Sequence, residues 1–381
     1  MTNHPRRILY VIDGSECTGS VKQLEFLARG LSEAACEIEI CSLRPLDQQL
    51  GRHAGALVAF STMDQKRRTD PGVVWRLRHK IRSFRPDILH TWGGAANTYG
   101  RVAARLARQP CVIASERIIA PPRPGLGSFV DRRLARSTAC IVVNSKTLLG
   151  IERLRGVPPD KLRCIPNGVR AESRRGSNSR LALADTYGLP PSSRFIAVVG
   201  RLQREKGWKD AFWALDLLRV IRPEMHLLVL GEGAYRRRLE RYRGQIRLSH
   251  AIHMMGHRND VAEILAGVEC LWHPCGTESL SNAILEAMLL GVPVIAADGA
   301  GNRELIRPHE TGWLVPVGDR AAFARQTNLL LDEPATRAAV TAKAYQEVTA
   351  RFSLQQMIRA YSQLYQDAMA AVSRDTWSRS N

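Results

Sequence analysis

Short apolar runs rich in β-branched residues alternate along the whole chain with segments of helical periodicity. In the first half the runs are Ile8–Ile12, Ile38–Leu43, Ile88–Thr91, Cys111–Ser115 and Cys140–Asn144. In the second half they are Phe195–Val199, His226–Leu230, Ile252–Met255, Cys270–His273, Val294–Ala297 and Trp313–Val315. Strands this uniformly apolar are buried on both faces, and their alternation with helices predicts βαβ units and parallel sheets. A chain of 381 residues is too long for one ordinary core, so two domains are expected. The first half closes on Cys164-Ile165-Pro166-Asn167-Gly168, a strand running into a turn. A polar stretch from Glu172 to Arg180 and the segment Gly188–Ser192 follow, which places the linker between about 170 and 192. The expected architecture is α/β: two Rossmann-like, doubly wound domains facing across a cleft. Residues 1–185 form the first domain and 193–352 the second, with 353–381 a helix packing back toward the first.

Composition narrows the partners. The formal net charge is +19, of which residues 1–192 carry +15 and residues 193–381 only +4. A basic first half suits nucleic acid, an acidic membrane surface or a phosphorylated substrate, ahead of a plain solvated surface with no specific partner. The eight cysteines are scattered with no Cys-x-x-Cys pair, which reads as a reduced, cytoplasmic protein. No run approaches the roughly 18 apolar residues of a membrane span. The apolar run that follows Met1–Arg7 is too short for a signal peptide.

Three segments carry chemistry. In residues 271–291 a strand ends near His273, a loop carries Glu278, Ser281 is a helix N-cap, and Asn282–Leu290 read as helix stopped by Gly291 and Pro293. The free amides at that helix start form an anion site. Glu278 and Glu286, eight residues apart, can face one ligand and accept hydrogen bonds from sugar hydroxyls, although a loop carboxylate and a solvated helix carboxylate fit the spacing as well. Val199–Gly207 is again a strand end leading into a helix, and its Arg201 and Lys206 can clamp a diphosphate. Leu230-Gly231-Glu232-Gly233 is a Gly-rich turn after the next strand, short of a full dinucleotide fingerprint.

In this order the three segments resemble the retaining glycosyltransferases of GT-B fold, family 4, across nearly the whole chain. Glu278 and Glu286 match that family's E-x7-E motif, and Arg201 and Lys206 its diphosphate-binding pair. Gly291–Ala296 with Glu304 match the segment after the motif. In the first half Asp87–Gly93 matches a strand ending in His, and Ile165–Val169 the inter-domain signature. The resemblance implies a nucleotide-sugar donor and transfer with the anomeric configuration kept. It implies Glu278, Arg201 and Lys206 as the catalytic group. Glu286, Leu280, Ser281, Asn282, Gly231 and Arg258 would bind the donor, and Gly19, His90, Glu116 and Arg117 would line the acceptor side. No cofactor and no metal are expected, because the chain has no Asp-x-Asp pair and cationic side chains can offset the leaving-group charge.

The chain departs from the family pattern in three places. Thr18 replaces the first glycine of the N-terminal pair, keeping Gly19. Ser115-Glu116-Arg117 stands where many members carry a His after the strand. Ser279 follows the first motif Glu in place of Gly. Two other functions compete: an inactive member of the fold acting as a binding protein, and a nucleic-acid-binding protein, for which no motif is present. His250, His253 and His257 span a strand and a turn, so they do not make a metal site. Val73–Arg85 reads as a basic amphipathic helix packing Val74, Leu77, Ile81 and Phe84. Its arginines, with Arg132, Arg133 and Arg136 on another predicted helix, raise the expectation of peripheral contact with the inner face of an anionic membrane. A glycan or lipid-linked acceptor would be met there.

Overall fold

A computed structural model of the chain describes residues 6–14, 19–34, 36–45, 54–67, 69–119, 126–170 and 179–380. Thr18, the proline-rich part of the 117–127 loop and most of the polar stretch at 172–180 lie outside the described residues. Two compact units result: Met1–Gly168 with Leu354–Asn381, and Val169–Ser353.

The first unit runs β1 (Arg6–Ile12), α1 (Gly19–Ser32), β2 (Cys36–Ser42), β3 (Val58–Thr62), α2 (Gly72–Phe84), β4 (Ile88–Trp92), α3 (Gly94–Ala107), β5 (Val112–Glu116), α4 (Leu126–Arg136), β6 (Cys140–Val143), α5 (Lys146–Leu154) and β7 (Leu162–Cys164). Its strands pair in parallel in the order β3-β2-β1-β4-β5-β6-β7. Strand alternation sends Ile8, Tyr10 and Ile12 into a core shared with α1, and Leu9 and Val11 into one shared with α2 and α3. Helix α2 buries Val73, Leu77, Ile81 and Phe84, with Val74 at its margin rather than in the core.

The second unit runs α6 (Ser179–Thr186), β8 (Arg194–Val199), α7 (Trp208–Arg219), β9 (Met225–Leu230), α8 (Arg236–Gln245), β10 (Ile252–Gly256), α9 (Val261–Leu265), β11 (Cys270–His273), α10 (Asn282–Leu289), β12 (Val294–Ala297), α11 (Ala300–Leu305), β13 (Trp313–Val315), α12 (Arg320–Asp332) and α13 (Pro334–Arg351). Its parallel order is β10-β9-β8-β11-β12-β13. Ile196 and Val198 face one helix layer, Phe195 and Ala197 the other.

The boundary expected at residue 185 moves to Gly168. Helix α6, read from sequence as linker, buries Leu183 and Ala184 against Phe195 and Leu265, so it is part of the second core. Helix α14 (Leu354–Ser380) belongs to the first unit, where Met357, Tyr361, Leu364 and Tyr365 complete the core beside β1 and β4. In each sheet order reverses beside the first strand, and ligands of such sheets are met by the loops leaving the strand carboxyl ends.

Candidate functional site

In the second unit the loops after β8 and β11 converge. The backbone leaves β8 at Gly200, makes a single 3-10 turn over Arg204–Lys206, and enters α7 through Gly207, which sits in the left-handed region at φ 73°. A Cβ at Gly207 would lie 2.7 Å from the Pro274 carbonyl oxygen, so this close approach of the two loops needs glycine. It carries Lys206 to the next loop, where its Nζ donates to Glu278 Oε1 at 2.7 Å. On the other side His273, buried at the end of β11, has Nε2 2.8 Å from Glu278 Oε2, though not in line for a hydrogen bond. Burial pulls the Glu278 carboxyl upward, but the neighbouring His273 and Lys206 outweigh it and hold it down at about 2. Glu278 is therefore an anion across the physiological range, with part of its surface open to solvent.

Ser281 caps α10, its side chain accepting from the Ile284 amide, and Leu280 is buried beneath the same loop. Glu286 and Asn282 lie half-buried on α10. The loop is pinned from below by Asn302, whose Nδ2 donates to the carbonyls of Cys275 at 2.9 Å and Ala297 at 2.8 Å. Arg201 is half-buried one residue past Gly200 and carries no ion pair among the described residues. Gly231, at φ 145°, donates its amide to the Gly256 carbonyl at 2.7 Å; a Cβ there would fall 1.9 Å from the Gly200 carbonyl oxygen. Arg258 is exposed, and its Nε donates to Asp260 at 2.8 Å. The structure thus brings Lys206 and Glu278 together, sets Leu280, Ser281 and Asn282 on the adjoining loop and helix start, and engages Arg258 with a carboxylate of its own loop.

His273 was missed by sequence reasoning as a partner of Glu278. A histidine at a strand's carboxyl end five residues before the motif glutamate was the available signal. His273, Cys275 and Glu278 also hold their ligand atoms within 4.8 Å of one another, the one such group among the described residues. The Lys206 ammonium already lies against Glu278, and a metal ion would have to displace or repel it.

The first-unit residues expected on the acceptor side fall into three environments. His90 is fully buried, sharing hydrogen bonds through Nδ1 with the Tyr365 hydroxyl at 2.7 Å and through Nε2 with Ser115 Oγ at 2.9 Å. Burial, with Arg117 nearby, drops its basicity well below the ordinary range, so it is a neutral packing residue of the interior. Arg117 is buried as well. Its guanidinium stacks 3.9 Å above Trp92, and it donates to Asn167 Oδ1 at 2.8 Å and to the Tyr361 hydroxyl. Glu116 points the other way from the end of β5 and accepts from Asn97 Nδ2 at 2.7 Å. Burial first, and then the Glu152 charge, push its carboxyl up to about 7. Gly19 opens α1 and is exposed.

Comparison with known proteins agrees with this organisation. The family described as Glycosyl transferases group 1 matches residues 180–347, and that described as Glycosyltransferase Family 4 matches residues 18–173. The chain belongs to the group 1 glycosyltransferases. It is similar to the lipopolysaccharide core biosynthesis glycosyltransferase LpsE of Rhizobium meliloti, with 24% identity over 76% of this chain and 78% of that protein. It is 28% identical to a UDP-Gal:alpha-D-GlcNAc-diphosphoundecaprenol alpha-1,3-galactosyltransferase of Escherichia coli over 62% of this chain and 64% of that one. In fold it resembles Anabaena Alr3699/HepE, solved in complex with UDP-glucose. That match has a TM-score of 0.84 and 19% identity, covering 95% of this chain and 99% of that one. The fold is GT-B, and the chain is a glycosyltransferase.

Proposed function

We propose that this glycosyltransferase takes its sugar from a nucleoside-diphosphate donor bound by the second unit, transfers it with retention of configuration, and requires no metal. The observation that carries this reading is the Lys206–Glu278 contact at 2.7 Å in a loop pair built by two strand ends. A carboxylate ionised across the physiological range accepts hydrogen bonds from sugar hydroxyls, and an adjacent ammonium offsets charge growing on a departing phosphate. Arg201, without an ion pair among the described residues, adds a second cation for the diphosphate, and the amides at the start of α10 a third element. Glu286 on α10 is assigned to the ribose hydroxyls. The departing phosphate oxygen takes the acceptor's proton, so no separate protein base is invoked. The names of the similar Rhizobium and Escherichia proteins, one a lipopolysaccharide core enzyme and one acting on a diphosphoundecaprenol, support a glycan or lipid-linked acceptor.

The test is a thermal-shift panel of UDP, GDP, ADP and their sugar conjugates. A donor at about 100 times its dissociation constant stabilises the protein by about 2.7 kcal/mol. One nucleotide series is expected to shift the wild type and to lose its effect in Lys206→Met. No shift with any member would reject the donor reading. Turnover with the positive donor is expected to persist in EDTA; loss on chelation, restored by magnesium or manganese, would overturn the metal-free part.

A further inference from the structure

The loop that carries Glu278 takes its shape from a segment to which no contact with the donor is assigned. Residues 274–280, between β11 and the Ser281 cap, are neither helix nor strand, so their path is set by what they lie against. They lie against residues 299–302, just past β12. A Cβ on Gly299 would fall 2.1 Å from the Gly276 carbonyl oxygen. One on Gly301 would fall 2.1 Å from the Glu278 carbonyl oxygen and 2.5 Å from that of Ser279. No side chain fits at such distances, so the two backbones touch only because both positions are glycine. Backbone conformation does not demand it: Gly299 has φ −100°, and Gly301 lies inside α11.

Asn302 ties the same two stretches through its side chain. It is 1% exposed, and its Nδ2 donates both hydrogens, to the Cys275 carbonyl at 2.9 Å and the Ala297 carbonyl at 2.8 Å. One amide nitrogen thus joins the start of the Glu278 loop to the last residue of β12. Its Oδ1 is buried with no hydrogen-bond partner among the described residues, so the side chain costs stability at one end to supply two donors at the other. The geometry held in this way is narrow. Glu278 presents Oε1 to Lys206 Nζ at 2.7 Å and Oε2 to His273 Nε2 at 2.8 Å. The backbone of His273 is fixed by β11, and that of Lys206 by the contact of Gly207 with Pro274. Neither backbone can follow the carboxylate if its loop moves, and a shift of about 1 Å takes an oxygen out of hydrogen-bond reach.

We infer that Asn302, backed by Gly299 and Gly301, is a positioning residue that holds the Glu278 carboxylate in place for the sugar of the donor. Asn302 acts through the loop alone, gripping a backbone carbonyl three residues before Glu278. The inference rests on the donor reading for what Glu278 does, and it adds the residue on which the placement of Glu278 depends.

The experiment compares Asn302→Ala and Asn302→Ser, each alone and combined with Glu278→Gln, in the full chain. The probes are UDP-glucose, GDP-mannose and ADP-glucose, each beside its free nucleoside diphosphate. Calorimetry gives the affinities, and release of nucleoside diphosphate from the sugar conjugate gives kcat and KM. Asn302→Ala should lower kcat/KM for the conjugate that binds by roughly 10- to 100-fold, as a small misplacement of a working group does. Affinity for the free nucleoside diphosphate, which lacks the sugar, should stay within a few-fold and shows that the variant is folded. Asn302→Ser keeps one donor and should fall between wild type and Asn302→Ala; it carries the test if the alanine variant does not fold. In the Glu278→Gln background either substitution should cost little more, because the carboxylate it positions is gone. Unchanged turnover in the Asn302 variants, the same loss in both backgrounds, or a nucleoside-diphosphate affinity that falls in step with turnover would overturn the inference. Glu278→Gln by itself reports the donor reading: full turnover there sinks that reading and this inference together, whereas a loss there with an independent loss at Asn302 sinks this inference alone.

Discussion

Replacing Lys206 by Met removes the ammonium and keeps most of the aliphatic stem. The substitution deletes a charge-assisted hydrogen bond of 2.7 Å between side chains exposed to 16% and 27%. Bonds of this kind contribute about 1.5–3 kcal/mol, and most of the loss comes from leaving the other partner half-buried and uncompensated. For a unit spanning Val169–Ser353 that corresponds to a midpoint lowered by about 3–12 °C. The sign with pH follows from Glu278. Its folded carboxyl is depressed to about 2 by His273 and Lys206 against burial. The stability it contributes is therefore fully present above the ordinary carboxylate range and is lost as pH falls through that range toward 2. The gap between wild type and Lys206→Met should be largest near neutrality and close on acidification. Adding Glu278→Gln to Lys206→Met should restore much of the stability, because no charge is then stranded. Donor turnover should not return, because both groups to which the proposed function assigns the donor are gone. Differential scanning calorimetry from pH 3 to 8 (an order-of-magnitude window set by these ranges) and kcat/KM with the donor found by thermal shift read the two effects. Stability losses that simply add in the double variant, or full turnover in Lys206→Met, would refute the coupling argued for this pair.

Three further outcomes are expected. Glu286→Ala should cut kcat/KM by roughly tenfold or more with an unchanged melting midpoint, as the side chain is half-buried on α10 and outside the cores; a midpoint drop with normal turnover would make it structural. Glu116→Gln should stabilise the first unit above neutral pH and do little near pH 5. The folded carboxyl is raised to about 7, so stability falls as pH rises from the ordinary carboxylate range to that value, and a flat difference across this range would contradict the assignment. Gly231→Ala should cost at least about 2 kcal/mol, since its Cβ meets the Gly200 carbonyl at 1.9 Å in a backbone region closed to alanine; urea denaturation measures it.

Twelve of the thirteen described strands were legible in the primary structure, eleven as runs apolar on both faces, as buried parallel strands are, and β7 by its passage into the turn at Pro166–Gly168. Strand β3 was not: it is an edge strand with only Val58 buried, so no apolar run distinguishes Val58–Thr62 from a loop. Helix α6 was read as linker because a polar stretch precedes it, and only its packing on Phe195 assigns it to the second unit. The Ser281 cap, the helix after it and the pairing of motif residues into one loop system are local, and short-range hydrogen bonding decides them. Contacts between distant side chains are not written in any local pattern. Lys206 meets Glu278 across 72 residues because Gly207 lets two backbones touch. His90 meets Tyr365 across 275 because α14 lies over β1 and β4. A histidine at a strand end reads the same whether it faces solvent or a tyrosine from the far end of the chain. The residue types determined which chemistry was available here; packing decided that His90 and Arg117 are interior, and the approach of His273 and Lys206 decided, against burial, that Glu278 stays charged.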